Sequence, residues 1–185
     1  MLIINQILQE SQTTKKFIGI RTYGSSDEMW CGYVLNFNDK IAQVQHFTEY
    51  GAPDGILIVA LENIEGIDSN YNYADAIEYL FKLNHKSDSL EKGIELPNSD
   101  LWQSEILLKF EGKKDAIGLI HDDENTYYGR IEKIDKEFVK LKTLGTIGES
   151  EGFYTMRIQD IKSIRINNAE AIKRNSLSER KGVKN

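Results

Sequence analysis

Laid on itself with Gly32 over Gly129, an offset of 97, the chain matches itself without a gap. Self-similarity at a fixed offset constrains a fold more than any local pattern, because both copies must satisfy one architecture. From Gly32 to Asp68 identities fall at Gly32/Gly129, Gly51/Gly148, Gly55/Gly152, Ile64/Ile161 and Ile67/Ile164. Apolar positions coincide at Val34/Ile131, Phe37/Ile134, Ile41/Phe138, Val44/Leu141, Ile56/Phe153, Val59/Met156 and Leu61/Ile158. Upstream, Ile18-Gly-Ile20 falls on Ile117-Gly-Leu119 when the first copy is given two extra loop residues. Ile3, Ile7 and Leu8 have the spacing of one helix face, as do Trp102, Ile106 and Leu107, and each set precedes a Lys-Lys pair. The chain is a duplicated unit.

Within each copy, short β-branched or aromatic runs are separated by turn residues, the pattern of strands in a small β domain. In the first copy the strands are expected near Phe17 to Tyr23, Trp30 to Phe37, Ala42 to Thr48 and Ile56 to Leu61, with turns at Gly24–Glu28, Asn38–Lys40 and Gly51–Gly55. Then comes Leu61-x-x-Ile64-x-x-Ile67, mirrored by Ile158-x-x-Ile161-x-x-Ile164. A step of three fits a 3₁₀ turn leading into a fifth strand, and a period of two cannot produce it. The sum is a mainly β fold with short helices: two tandem five-stranded barrels, each preceded by a helix, barrel closure being one way to hide sheet edges. Tyr73, Ile77, Leu80 and Phe81 form a further helical stripe with Asn70 or Asn72 available as N-cap. The expected organisation is a first barrel with its helices over 1–84, a linker over 85–98, a second barrel over 99–172, and a basic flexible tail over 173–185 with few apolar anchors.

A net charge of −6 argues against a generic polyphosphate coater. The single cysteine, Cys31, permits no intrachain disulfide and no thiol cluster for zinc, so a reducing cytoplasm is the simplest home. No apolar run approaches the roughly 18 residues that a membrane helix needs, and Met1–Ser11 lacks a basic leader and a small-residue cleavage site.

Gly-x-apolar on a bent second strand, an acid or amide six residues later, and Ile-x-Gly near the last turn together resemble the Sm-like family of SH3-type small barrels. Gly32-Tyr-Val34, Asn38 and Ile64-Glu-Gly66 carry the likeness in the first copy, and Gly129-Arg-Ile131, Asp135 and Ile161-Lys-Ser163 in the second. The resemblance implies closed rings, formed when the fourth strand of one barrel pairs with the fifth of the next, around a pore that binds single-stranded RNA. Two of the family's RNA contacts do not carry over. Its asparagine after the second-strand turn falls on Ala42 and Val139, and its Arg-Gly becomes Glu65-Gly66 and Lys162-Ser163.

The expected function is therefore a non-enzymatic binding or assembly module that meets a protein partner or itself by strand-edge pairing, giving a homo-oligomer. The alternative is a single-stranded RNA binder using the second copy and the basic tail. Residues 1–98 hold 7 basic and 14 acidic side chains, whereas 99–185 hold 16 and 15. The candidate RNA-binding cations are accordingly Lys133, Lys136, Lys140, Lys142, Lys162 and Arg165, with Lys140 and Lys142 alternating with Val139 and Leu141 on one strand face. Trp30, Tyr33, Tyr127, Tyr128 and Tyr154 are read as core or contact aromatics before base platforms. The hairpin acids Asp27-Glu28 and Asp122-Asp-Glu124 beside His121 offer few ligands, and turns favour Asp for backbone reasons, so no metal and no cofactor is expected. His46 has Thr143 as its counterpart, His85 lies in the linker, and Cys31 falls on Tyr128, so no nucleophile, base and orienting acid recur together. Gly51-x-x-x-Gly55 and Gly148-x-x-x-Gly152 are hairpin glycines without the Lys-Ser or Lys-Thr of a phosphate loop.

Overall fold

A computed structural model describes residues 2–23, 29–84, 90–121 and 125–182. The chain divides into two compact units, Met1–Leu96 and Pro97–Asn185.

Unit 1 begins with helix α1 (Ile3–Thr14), followed by β1 (Ile18–Thr22), β2 (Met29–Phe37), β3 (Ile41–Phe47) and β4 (Pro53–Ala60). A 3₁₀ turn over Leu61–Asn63 leads into β5 (Ile64–Asp68), and helix α2 (Asn72–Asn84) follows. Unit 2 repeats the series: α3 (Trp102–Leu108), β6 (Ile117–His121), β7 (Thr126–Ile134), β8 (Phe138–Leu144), β9 (Ser150–Arg157), a 3₁₀ turn over Ile158–Asp160, β10 (Ile161–Ile166) and α4 (Ala169–Gly182). The fold is mainly β. Strands run in the order β5-β1-β2-β3-β4 in unit 1 and β10-β6-β7-β8-β9 in unit 2, and every described ladder within the units is antiparallel.

The registers repeat with the sequence. Ile18 pairs with Gly32, and Ile117 with Gly129; each pairing holds the two glycines that define the offset. Both glycines sit where another strand's backbone comes too close for a side chain. A Cβ on Gly32 would lie 1.8 Å from the carbonyl oxygen of Gln45, and one on Gly129 would lie 2.3 Å from that of Lys142. The three-residue isoleucine step resolves as expected, because each 3₁₀ turn swings the chain from the fourth strand to the fifth.

Alternation sets the inner faces: Ile18, Ile20, Val34, Val44, Leu57 and Val59 in unit 1, and Ile117, Leu119, Ile131, Val139, Leu141 and Ile164 in unit 2, while β3 and β4 are buried on both faces along nearly their whole length. On the other face of unit 1, α2 lays Ala74 and Ile77 over Phe17, Cys31, Tyr33 and Phe47. Helix α1 is tied to β2 by Ser11, whose buried hydroxyl accepts from the Val34 N–H at 3.0 Å and donates to the Lys16 carbonyl at 2.8 Å.

Two organisational expectations change. Residues 169–182 form α4, so the stretch from 173 is helix where a fraying tail was expected. The offset explains it: Asn167 falls on Asn70, both at φ 56, and Ala171 falls on Ala74, both fully buried. With few apolar anchors, α4 is held by polar contacts instead. Arg174 stacks its guanidinium 4.6 Å from the Tyr128 ring centroid and donates to the Leu144 carbonyl at 2.7 Å, while Arg130 donates to Asn175 at 2.8 Å. Second, unit 1 extends to Leu96, so residues 90–96 of the expected linker belong to it. His85 and the rest of 85–89 lie outside the described residues, as do 183–185.

Candidate interaction surfaces

Opposite residues of an antiparallel pair point to the same face, so the ladders of unit 2 place the candidate cations. Lys142 faces Arg130 on β7 and Phe153 on β9; Lys140 faces Lys133 and Thr155; Phe138 faces Arg157. Lys133, Lys140 and Lys142 therefore share one face, as the alternation predicts for the latter two. Lys136 stands in the β7–β8 turn, where Asp135 accepts from the amides of Glu137 and Phe138. Those two backbone bonds hold the Asp135 carboxyl below its ordinary pKa. Lys162 and Arg165 stand apart on β10. Two strands, β6 and β7, lie between β10 and β8, a separation of about 14 Å at the usual strand spacing. Arg165 donates to the Tyr128 hydroxyl at 3.1 Å, and Lys162 occupies the irregular step between Ile161 and Ser163.

The five aromatics singled out in the sequence lie in the core or in ring contacts. Tyr33 and Tyr128 are buried, Tyr127 stacks on Tyr154 with centroids 4.5 Å apart, and Trp30 meets His46 edge-on. The exposed ring on the cationic face is Phe153, 56% exposed, with Lys140 Nζ 4.1 Å above its centroid. Ile56, at the same position of the first copy, is buried. Only the contrast between the two copies could have marked Phe153 beforehand, since an apolar match reads as core.

The corresponding face of unit 1 is occupied by its own chain. Gln43 and Gln45 alternate with Ala42 and Val44 and so resemble solvent-facing residues, yet both are 0% exposed. Gln43 accepts from the Ile94 N–H and donates to the Ile94 carbonyl, each at 2.9 Å. Gln45 accepts from the Glu91 N–H at 2.9 Å and donates to the Gly55 carbonyl at 3.0 Å. Asn36 adds a bond to the Ile94 carbonyl at 3.2 Å. These amides engage residues 91–94 much as a neighbouring strand would, through main-chain groups, which makes the grip indifferent to side-chain identity. Gly93 allows the close approach: a Cβ there would sit 2.5 Å from Gln43 Oε1.

A shallow groove of about 280 Å³ lies along β5, lined by Ile3, Ile4 and Ile7 of α1 and by Ile64–Ile67. Ile3 at its rim is 77% exposed.

The two histidines among the described residues each stand near an acid. His46 Nδ1 is 3.2 Å from Asp54 Oδ2 with both side chains nearly buried, and His121 Nε2 is 3.9 Å from Asp160. Burial, helped by the charge of Glu78, pushes the Cys31 thiol up to about 12, so it is held as a thiol rather than a nucleophilic thiolate. Among the described residues no three His, Cys, Asp or Glu side chains gather as a metal would require; Asp27, Glu28, Asp122, Asp123 and Glu124 lie outside those residues. No described helix is long and apolar enough to cross a membrane. Comparison with known proteins finds no family model, no curated protein and no solved structure that matches the chain.

Proposed function

We propose that the chain is an assembly module of two Sm-like barrels in tandem, in which β9 of one molecule pairs with β5 of the next. The strand order supports the barrel reading: a helix, four strands, a 3₁₀ turn and a fifth strand that returns beside the first, in both copies. β5 and β9 end the orders of their units, each with a single strand neighbour, and an edge strand is a template for another chain.

The observation that carries the proposal is the isoleucine groove along β5. An incoming strand would gain main-chain bonds from β5 and bury Ile3, Ile4 and Ile7, a combination of edge and apolar shelf that suits strand addition. The contact is heterologous, one edge against a different one, so repetition yields rings or filaments rather than an isolated dimer. RNA binding by the six cations is less well served, because Lys162 and Arg165 stand on β10, with β6 between them and Lys133 and both β6 and β7 between them and Lys140 and Lys142.

Light scattering across a wide concentration range tests the proposal. The expected result is a native mass that is a multiple of 21.2 kDa and that falls to the monomer when Ile3→Glu places a charge in the groove. A strict monomer throughout, or an oligomer indifferent to Ile3→Glu, overturns edge pairing at β5.

A further inference from the structure

The three side chains that grip residues 91–94 in unit 1 all have counterparts at the offset of 97: Asn36 falls on Lys133, Gln43 on Lys140 and Gln45 on Lys142. The geometry beneath them is conserved between the copies. Asn36 pairs with Gln43 across the β2–β3 irregularity, and Lys133 pairs with Lys140 across the matching one in β7–β8. What differs is the cover. Ile56 and Ile58, opposite the glutamines, are 2% and 0% exposed, whereas Phe153 and Thr155, opposite the lysines, are both exposed.

The chemistry changes with the residues. An amide both donates and accepts, so Asn36, Gln43 and Gln45 can satisfy the N–H and C=O groups of a peptide together. An ammonium only donates, so three lysines on the same scaffold select an occupant richer in acceptors, with carboxylates the best match. The segment held in unit 1 already has this leaning, with Glu91 and Glu95 flanking Lys92.

We propose that unit 2 holds an extended acidic polypeptide segment on Lys133, Lys140 and Lys142, in the place where unit 1 holds residues 91–94. A peptide is favoured over a nucleic acid on three counts. The equivalent face carries a peptide within this same chain. The Phe153 ring, the one exposed aromatic on the face, is already covered by Lys140. The chain's net charge of −6 opposes a polyphosphate far more than a segment with a few carboxylates. The site belongs to unit 2 and the isoleucine groove along β5 to unit 1, and binding at these lysines does not depend on edge pairing.

The test uses the full chain and two labelled probes: a heptapeptide, Leu-Glu-Glu-Gly-Ile-Glu-Leu, which is residues 90–96 with glutamate in place of lysine, and an oligouridylate. Fluorescence anisotropy is followed at low and at physiological salt. The expected result is saturable, salt-sensitive binding of the peptide that Lys140→Glu with Lys142→Glu weakens by about tenfold, the sum of a few half-exposed ion pairs. Should the charge reversals disturb folding, Lys140→Met with Lys142→Met removes the two ammonium donors, keeps the apolar stems and reads the same loss without installing the amides that grip a main chain in unit 1. Absence of peptide binding, or peptide binding indifferent to these lysines, overturns the proposal. So does an oligouridylate that binds more tightly than the peptide with the same lysine dependence, which would assign the face to RNA.

Discussion

Replacing Gly32 with alanine tests the close crossing of β2 over β3 at its tightest point. The new Cβ would stand 1.8 Å from the Gln45 carbonyl oxygen and 2.9 Å from its carbon. An ordinary carbon–oxygen contact needs about 3.3 Å, so the strands must part by about 1.5 Å. No flexible side chain can absorb the movement, because the obstacle is backbone. Gly32 is paired with Ile18 on one side and His46 on the other, so the displacement strains two ladders. Overpacking alone costs about 1–3 kcal/mol, and one or two weakened main-chain hydrogen bonds add about 1 kcal/mol each. The total of about 2–5 kcal/mol is a large share of a small domain's stability. At about 4–8 °C per kcal/mol for a unit of this size, the Tm of unit 1 should fall by about 8 °C or more. Differential scanning calorimetry of Gly32→Ala and Gly129→Ala checks this, since the second variant makes the same clash with Lys142 in unit 2. Gly66→Ala is the control: its added methyl meets nothing within 4 Å. A Gly32→Ala protein melting within a degree or two of Gly66→Ala would mean that β2 and β3 accommodate a side chain at this crossing.

Two other perturbations address the polar ties. Ser11→Ala removes both the acceptor for the Val34 N–H and the donor to the Lys16 carbonyl at a buried site, and should cost about 1–3 kcal/mol in urea unfolding; an unchanged midpoint would deny that α1 is anchored through this hydroxyl. Glu170 is caught between opposing influences: burial raises its pKa, but hydrogen bonds and charge from Lys173 and Arg174 outweigh burial and leave it below the ordinary value. A depressed carboxylate contributes stability that is present above its unfolded pKa and lost as pH falls through the folded one. Glu170→Gln should therefore lower stability by about 0.5–1 kcal/mol at neutral pH, and the gap should close below the ordinary glutamate pKa of 4.5; pH-resolved urea melts that show a constant gap would contradict this.

Much of the fold was legible because the patterns that encode it are local or periodic. Strand alternation, the three-residue isoleucine step and the paired glycines each report a backbone geometry within a few residues. The repeat then doubles every reading, which is how the boundaries of the 3₁₀ turns and of α3 emerge from short motifs. The same offset also contained α4, through Asn70/Asn167, Ala74/Ala171 and Leu80/Leu177. It was obscured by composition: a helix held by Arg174 on Tyr128 and by Arg130 on Asn175 shows little of the apolar stripe by which helices are recognised. Lys140 and Lys142 were legible as one strand face, but Phe153 was not, because an apolar residue matched to Ile56 reads as core in either copy.

Sequence alone determined the duplication and the order of the strands, since both follow from spacing along the chain. Tertiary structure decided which polar positions are surface and which are not. Gln43 and Gln45 alternate like solvent-facing residues, and they are buried only because the main chain at Glu91 and Ile94, 46 and 51 positions further on, returns to satisfy their amides. Burial of an amide depends on a hydrogen-bond partner being delivered from elsewhere in the chain, and no local pattern records where that partner comes from. Lys140 and Lys142 occupy the same strand positions beneath an open face, and the difference between the two copies is visible only in three dimensions.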